Sequence, residues 1–182
     1  MTPDAWLLTL GALLLVLLAW TVWTLTRLRR LEARVARAWA ALDGQLRRRA
    51  ALAEELARDH AGALGEHRAA ALAAAAAGAR SPRDGDRETA ENALGRELRD
   101  LPADLPGVPG ALQADLAGTS TRVGLARRFY NDAVRDIRAL RRHRFPRLLR
   151  LHAGRPLPRY FDIDDRLEEV VGALGGNGRG VS

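Results

Sequence analysis

Residues 5–26 have the sequence AWLLTLGALLLVLLAWTVWTLT, and they carry the strongest structural signal in this chain. These 22 residues include no charged side chain. At about 1.5 Å of rise per residue, a helix of this length crosses a hydrocarbon core about 30 Å thick. Trp6 lies near one end, and Trp20 and Trp23 lie near the other, where tryptophan favours the membrane–water interface. The stretch therefore predicts a transmembrane helix.

A cleaved signal peptide and a buried core helix are the alternative interpretations of residues 5–26. A signal peptide has a basic segment before its apolar run and small residues at its end. This chain instead has Asp4 before the run and the sequence TRLRR, residues 26–30, after it. An uncharged run of this length at a chain terminus is also typical of a membrane span rather than of a core helix. A membrane anchor is therefore favoured over both alternatives.

The charges that flank the anchor predict its orientation. Only the α-amino group and Asp4 precede it, and arginine-rich flanks stay on the cytoplasmic side. We expect a single-pass protein of the cell membrane, with residues 1–4 outside and residues 27–182 in the cytoplasm. Arginines beside the anchor are also predicted to contact anionic headgroups, each contributing about 1 kcal/mol. These arginines are Arg27, Arg29, Arg30, Arg34 and Arg37.

The composition of the 182 residues favours helices. Ala, Leu, Arg and Glu dominate, whereas the β-branched and aromatic residues that favour strands are scarce. All 29 basic residues are arginines, and the formal net charge of +7 is unevenly distributed. It is +6 over residues 27–49, −5 over residues 50–121 and +10 over residues 122–159. The absence of cysteine excludes disulfides, thiolate nucleophiles and cysteine metal ligands.

A long amphipathic helix is predicted after the anchor. Apolar residues recur there at intervals of three and four, which is typical of one buried helix face. Gly44, Gly62 and Gly65 are the expected places for a break or bend. The alanine-rich run 69–77 is interpreted either as thinly packed last turns or as a seam for another helix. The apolar positions are Leu28, Leu31, Val35, Ala38, Trp39, Leu42, Leu46, Ala53, Leu56, Ala63 and Leu64.

Two further helices are predicted at about 86–100 and 110–143, with Pro146 ending or bending the second one. An extended tail, RPLPRYFDID at residues 155–164, follows. We expect an all-α fold in which the transmembrane helix leads into an antiparallel bundle of long helices. The bundle is assigned to residues 27–163, and a short helix with a flexible tail is assigned to residues 164–182.

The segment ARRFYNDAVRDIRALRRHRFP, residues 126–146, combines aromatic residues with arginines. Helical periodicity places Phe129 and Tyr130 on the packing face of their helix and leaves the arginines in solvent, with intrahelical pairs to Asp132 and Asp136. Nucleic-acid binding needs exposed aromatics beside the arginines, so we expect no nucleic-acid partner. Asn131 is unfavourable inside a helix unless another element binds its amide. Tyr130 and Asn131 are therefore predicted to hold the C-terminal tail or the first long helix, with ligand binding as the alternative.

Residues that carry catalytic or metal chemistry are not arranged for it in this sequence. His60 and His67 lie two turns apart, about 10.5 Å, which is too far for a single metal. Asp165 and Glu169 share a face, but their place near a helix start has a structural explanation. There is no phosphate-binding loop and no Ser/His/Asp constellation. We therefore expect no enzyme activity and no cofactor or metal.

Three stretches resemble the LemA family, which comprises bacterial membrane-anchored proteins with a helical cytoplasmic domain. AWAALDGQLRRRAALAEELA, residues 38–57, resembles the Gln-Leu block of the family with its paired arginines. RVGLARRFYNDAVRDI, residues 122–137, resembles its Arg and Tyr-Asn signature. RFPRLLRLHAGRPLPRYFDID, residues 144–164, resembles its closing pattern. We predict that the matching side chains form a structural clasp consisting of Arg127, Tyr130, Asn131, Phe145 and Pro146.

The resemblance implies a non-catalytic protein, since the family has no established enzymatic activity and some members are associated with organising internal membranes. We expect a membrane-anchored helical scaffold that acts through self-association and lipid contact. Its expected partners are the lipid bilayer and either further copies of the chain or another membrane protein. The alternative function is a membrane-tethered adaptor for a membrane protease or envelope enzyme.

Overall fold

A computed structural model describes residues 3–81, 87–102, 104–142 and 157–164. Five helices account for most of these residues, and the described ranges contain no β-strand. The all-α prediction is confirmed in this respect. The predicted residues Phe145 and Pro146, together with all but the first residue of the short helix and tail predicted at 164–182, lie outside the described residues. The helices are α1 (Pro3–Asp59), α2 (Ala61–Leu64), α3 (Glu66–Arg80), α4 (Arg87–Arg99) and α5 (Gly110–Arg142).

The predicted anchor and the amphipathic helix after it are one continuous helix, α1, of 57 residues. Gly44 lies inside α1 and does not interrupt it. The chain leaves helical geometry instead at His60 and Gly65. Gly65 has φ +80°, a left-handed conformation that glycine adopts without the steric cost of a Cβ. Of the three glycines expected to break the helix, Gly65 is the one with this geometry.

The chain divides into two compact units. The first contains Met1–Trp39 and Phe129–Tyr160, and the second contains Ala40–Arg128 and Phe161–Ser182. In the first unit, the buried face of α1 starts with Thr24 and Leu28, which are 8% and 5% exposed. Before Thr24, every described side chain of α1 is exposed or half-buried. Before Thr24 the surface of α1 is apolar on all sides, and after it the helix has one buried face. This change follows the sequence, because charged residues begin at Arg27.

The core of the second unit combines alanine side chains with leucine and valine. Ala69, Leu72, Ala76 and Ala79 are the buried residues of α3, which packs against α4. Alanine side chains let helix axes approach closely, since interaxial distance depends on the residues at the contact. The alanine-rich run is therefore a packed seam rather than a set of loose last turns. The same core includes Ala50, Ala53, Leu56, Ala57, Leu64, Leu94, Leu105, Val108 and Leu112.

Candidate functional sites on the helices

The first candidate site is the apolar surface of α1. Its large side chains from Trp6 to Trp23 are exposed, up to 74% at Leu8. The helix is long and apolar enough to cross a membrane, and 6% of its most apolar window is buried. A core helix of a soluble protein buries most of this surface, so the described protein does not use the stretch as core.

The threonines of this apolar stretch have hydrogen-bond acceptors inside the helix itself. The hydroxyl of Thr9 donates to the carbonyl of Trp6 at 2.8 Å, and that of Thr21 donates to the carbonyl of Leu17 at 2.8 Å. Thr24 donates in the same way to Trp20 at 2.9 Å. A hydroxyl satisfied within its own helix needs no water, which makes these residues compatible with a hydrocarbon environment.

The arginines that follow this stretch have different surroundings. The guanidinium of Arg27 lies 5.4 Å from the ring centroid of Trp23, within cation–π range. Arg34 forms an ion pair with Asp136 of α5 at 2.7 Å. Arg29, Arg30 and Arg37 are exposed, and none of them forms an ion pair within the described residues. Arg34, one of the five arginines predicted to contact lipid headgroups, is therefore already paired with a carboxylate.

The second candidate site joins α5 to the extended segment in the first unit. Tyr130 is 8% exposed, and its hydroxyl donates to the carbonyl of Arg159 at 2.9 Å. Its ring centroid lies 5.2 Å from that of Trp39 on α1. Arg138 donates from Nε to the carbonyl of Pro158 at 3.0 Å, and its guanidinium lies 4.7 Å from the ring centroid of Tyr160. Tyr130 and Arg138 therefore hold the main chain of residues 158 and 159.

The other predicted clasp residues are not all gathered at this point. Asn131 is half-buried on α5, next to Tyr130 in the sequence. Arg127 belongs to the second unit, where its Nη1 lies 3.9 Å from a carboxylate oxygen of Asp162. Phe145 and Pro146 lie outside the described residues. The structure thus places Tyr130 and Arg127 against successive parts of the extended segment, within their respective units.

The structure corrects two expectations about α5. Phe129 is 60% exposed and does not belong to the packing face, because that face follows Val123, Tyr130 and Ile137 at intervals of seven residues. A position next to Tyr130 points about 100° away from it. Asp136 forms its ion pair with Arg34 of α1 rather than within α5. Asp132 does form the expected intrahelical pair, with Arg135 at 2.8 Å.

A third candidate site is a buried ion-pair network that sequence reasoning missed. Arg49 of α1 and Glu91 of α4 form an ion pair at 2.8 Å, and their side chains are 5% and 0% exposed. Arg87 lies beside them, with its Nε 3.4 Å from Glu91 and its Nη2 2.8 Å from Asp43. Arg47 is also paired with Asp43, at 2.9 Å. The network therefore joins the C-terminal part of α1 to the start of α4 in the second unit.

A sequence signal for this network existed. Arg49 lies three residues after Leu46 and four before Ala53, so it occupies a position of the apolar face of α1. Glu91 lies three residues before Leu94 on the corresponding face of α4. Opposite charges at buried-face positions of two helices are most favourable when they pair with each other, because an unpaired buried charge is very costly.

The cleft beside this network is small. Its cavity volume is about 10 Å³, which is room for one water molecule and far less than a small-molecule pocket requires. Arg49 Nε and Glu91 Oε1 both lack a hydrogen-bond partner within the described residues. The cleft is lined by Arg49, Glu91, Asn92, Gly95, Leu98, Arg99, Ser120, Ile163 and Asp164.

The extended segment continues along this cleft. Phe161 and Ile163 are 4% and 5% exposed. The amide N–H of Asp162 donates to the carboxylate of Glu88 at 2.8 Å, and that of Asp164 donates to the side-chain oxygen of Asn92 at 2.8 Å. Side chains of α4 therefore bind the main-chain amides of Asp162 and Asp164.

Metal-binding geometry is missing from the described residues, which contain no group of three or more His, Asp or Glu side chains close enough to hold an ion. His67 is exposed and His60 is half-buried. Comparison with known protein families, with curated proteins and with solved structures finds no match for this chain.

Proposed function

We propose that this chain is a non-catalytic, membrane-anchored helical scaffold that organises membranes through self-association and lipid contact. In this proposal it is a LemA-like protein of the cell membrane. Residues 5–26 span the bilayer once, with the N-terminus outside and the helical domain in the cytoplasm.

The observation that carries the proposal is the exposed apolar surface of α1 and its unbroken passage into the rest of the helix. Large side chains from Trp6 to Trp23 are exposed, and α1 continues to Asp59. Exposing so large an apolar surface to water is strongly unfavourable, at about 25 cal/mol for each square ångström. A bilayer covers that surface at once, and α1 continues from it without a break.

Lipid contact is assigned to the arginines that form no ion pair within the described residues. Arg29, Arg30 and Arg37 are exposed, and the described residues give them no carboxylate. Anionic headgroups supply the missing negative charge within one or two turns of the proposed span. Arg34 contributes less, because Asp136 already neutralises it.

An antiparallel bundle is the proposed arrangement of the long helices. Two contacts in the second unit support this arrangement, because the residue numbers of the α5 partners decrease as those of the α1 partners increase. Gln45 accepts a hydrogen bond from Arg122 at 3.3 Å, and Arg48 pairs with Asp115 at 3.4 Å. Self-association is assigned to faces that the core leaves open, such as Ala70, Ala74 and Ala77 of α3, which are exposed at helical spacing.

Reconstitution of the full-length chain into liposomes tests the proposal. Assemblies seen by negative stain on anionic liposomes are expected, and they should weaken on neutral liposomes and at high salt. Replacing Arg29, Arg30 and Arg37 with glutamine should weaken the dependence on anionic lipid. The matched control replaces the exposed Arg68 and Arg96, which lie on other helices, and should leave that dependence unchanged.

Two outcomes would contradict the scaffold function. A strictly monomeric chain in both kinds of liposome removes self-association. A stoichiometric protein that co-purifies with the chain and blocks its assembly favours the adaptor function instead.

A further inference from the structure

A stripe of exposed side chains runs along one face of α1, from its apolar stretch into its basic stretch. The members recur at alternating intervals of four and three residues, which places them on a single helix face. We call them the α1 stripe; they are Val16, Trp20, Trp23, Arg27 and Arg30. All five are exposed, with Val16 at 66%, Trp20 at 37% and Trp23 at 57%. The face therefore changes from aliphatic to aromatic to basic, in the order in which a phospholipid changes from acyl chain to phosphate.

Within the α1 stripe, Trp23 restricts the position of Arg27. The guanidinium of Arg27 lies 5.4 Å from the ring centroid of Trp23, within cation–π range. This contact uses the charge of the guanidinium and none of its five N–H donors. Arg27 forms no ion pair within the described residues. Because the oxygens of one phosphate accept two parallel N–H donors of an arginine, Arg27 is prepared for a phosphate group.

Arg30 adds a second guanidinium on the same face. It lies one turn beyond Arg27, a rise of about 4.5 Å, and it too forms no ion pair within the described residues. The next arginine in the same spacing is Arg34, which is paired with Asp136 at 2.7 Å. The part of the stripe that can bind an anion therefore consists of two arginines, whose long side chains both reach one phosphate.

The apolar part of the α1 stripe has the length of one membrane leaflet. From Val16 to Arg27 the helix rises about 16.5 Å. Half of a hydrocarbon core about 30 Å thick is about 15 Å. An acyl chain that lies on Val16 and Trp20 therefore ends with its headgroup at Arg27. A soluble phosphate uses none of this apolar surface, so the complementarity favours a lipid as the occupant.

We propose that Trp23, Arg27 and Arg30 form a binding site for the phosphate of one anionic phospholipid, whose acyl chain lies along Val16 and Trp20. The proposal rests on the proposed function, since residues 5–26 must span the bilayer. It deepens that function by naming a site for a single lipid. General attraction to a membrane depends on charge alone, whereas this site depends on the guanidinium geometry of Arg27 and on the ring of Trp23.

Native mass spectrometry of the full-length chain in detergent counts the lipids that each chain retains. The probe is phosphatidylglycerol, and phosphatidylcholine with the same acyl chains is the comparison. We expect one phosphatidylglycerol per chain at low lipid concentration, bound more tightly than phosphatidylcholine. Arg27→Lys keeps the charge and loses the paired donors, so it should weaken binding of this first lipid about tenfold.

Arg29→Lys is the matched control for Arg27→Lys. Arg29 is also exposed, but it lies about 200° around the helix from Arg27, so its replacement should leave the first lipid unchanged. Trp23→Leu removes the ring and keeps an apolar side chain, and it should weaken binding of the first lipid as well. Trp6→Leu, at the exposed opposite end of the span, is its control and should have no effect.

Equal effects of Arg27→Lys and Arg29→Lys, or no effect of Arg27→Lys, overturn the site, because binding then depends on charge alone. Displacement of phosphatidylglycerol by millimolar inorganic phosphate would show an ion site and overturn the lipid as its occupant. If the site is overturned while assemblies still form on anionic liposomes, the scaffold function stands. If one lipid is retained through Arg27 while no assemblies form, self-association is removed and this site stands.

Discussion

Two of the ion pairs that connect α1 to other helices differ in environment rather than in distance. Arg34 and Asp136 in the first unit lie 2.7 Å apart, and Arg49 and Glu91 in the second unit lie 2.8 Å apart. The first pair is about half exposed, at 53% and 48% of the side chains. The second pair is almost fully buried, at 5% and 0%.

This contrast shows that the distance between the two charged groups says little about the contribution of an ion pair to stability. Water and salt screen the exposed pair, which therefore contributes about 0–1 kcal/mol. The buried pair has lost its hydration, so removing one partner leaves a charge that neither water nor protein compensates. Its main effect is on specificity, because only an arrangement that brings Arg49 to Glu91 avoids this penalty.

The largest expected effect is the loss of one partner of the buried pair. Glu91→Ala leaves Arg49 without its carboxylate and should lower the free energy of unfolding by about 3–5 kcal/mol. Thermal unfolding followed by circular dichroism in detergent measures it. Glu97→Ala, at a half-buried position of the same helix, is the control and should change stability far less. Equal losses for the two variants would contradict the contrast between the pairs.

Replacing both partners of the buried pair sharpens the comparison. Arg49→Met with Glu91→Leu removes both charges and fills the space with apolar groups. Such replacements are often neutral or stabilising, so the double variant should recover most of the loss caused by Glu91→Ala. A double variant as unstable as the single one would show that Arg87 and Asp43 need the pair.

A buried hydrogen bond without a formal charge should lie between the two extremes. Tyr130→Phe removes the hydroxyl that donates to the carbonyl of Arg159 and keeps the ring beside Trp39. The expected loss is about 1 kcal/mol. Hydrogen exchange of the tail amides should increase near residue 160 without a general increase elsewhere. Unchanged exchange in the tail would mean that Arg138 alone holds this segment.

The exposed pair should have a smaller effect that salt removes. Asp136→Asn should lower the free energy of unfolding by less than about 1 kcal/mol at low ionic strength. At about 1 M salt, where the Debye length is about 3 Å, the difference from the unmodified chain should vanish. If the full difference in the free energy of unfolding persisted at high salt, the Arg34–Asp136 pair would behave like the buried pair, which would contradict the comparison.

The smallest expected effect belongs to two adjacent exposed residues, Arg58 and Asp59. A hydrogen bond from Arg58 lowers the pKa of the Asp59 carboxyl below its ordinary range. A lowered folded-state pKa contributes stability above the ordinary pKa of about 3.9, and this is lost as pH falls through the lowered value. Arg58→Ala should return the pKa of Asp59 toward its ordinary value, as measured by NMR titration, with no measurable change in stability at neutral pH.

Local patterns predicted the helices well. The helix expected at 86–100 is Arg87–Arg99, and the one expected at 110–143 is Gly110–Arg142. These bounds follow from neighbours in the sequence, since glycine, proline and apolar periodicity act within a few residues. The prediction for Phe129 was wrong because this residue lies one position away from Tyr130, which belongs to the packing face of α5. The apolar periodicity of the sequence does not distinguish two such neighbouring positions.

Composition and periodicity are local properties, so the amino-acid sequence is enough to identify the helical fold class, the uncharged run of 22 residues and the excess of arginine after it. Three contacts become visible only in the folded chain: Arg49 lies against Glu91, Asp136 pairs with Arg34, and Phe161–Asp164 lies along α4. Each of these contacts joins residues 42 or more positions apart, and no local rule selects one partner among the many arginines and carboxylates. For Arg49 and Glu91, burial makes the selection, since a charge removed from water is stable only beside a group that replaces its hydration.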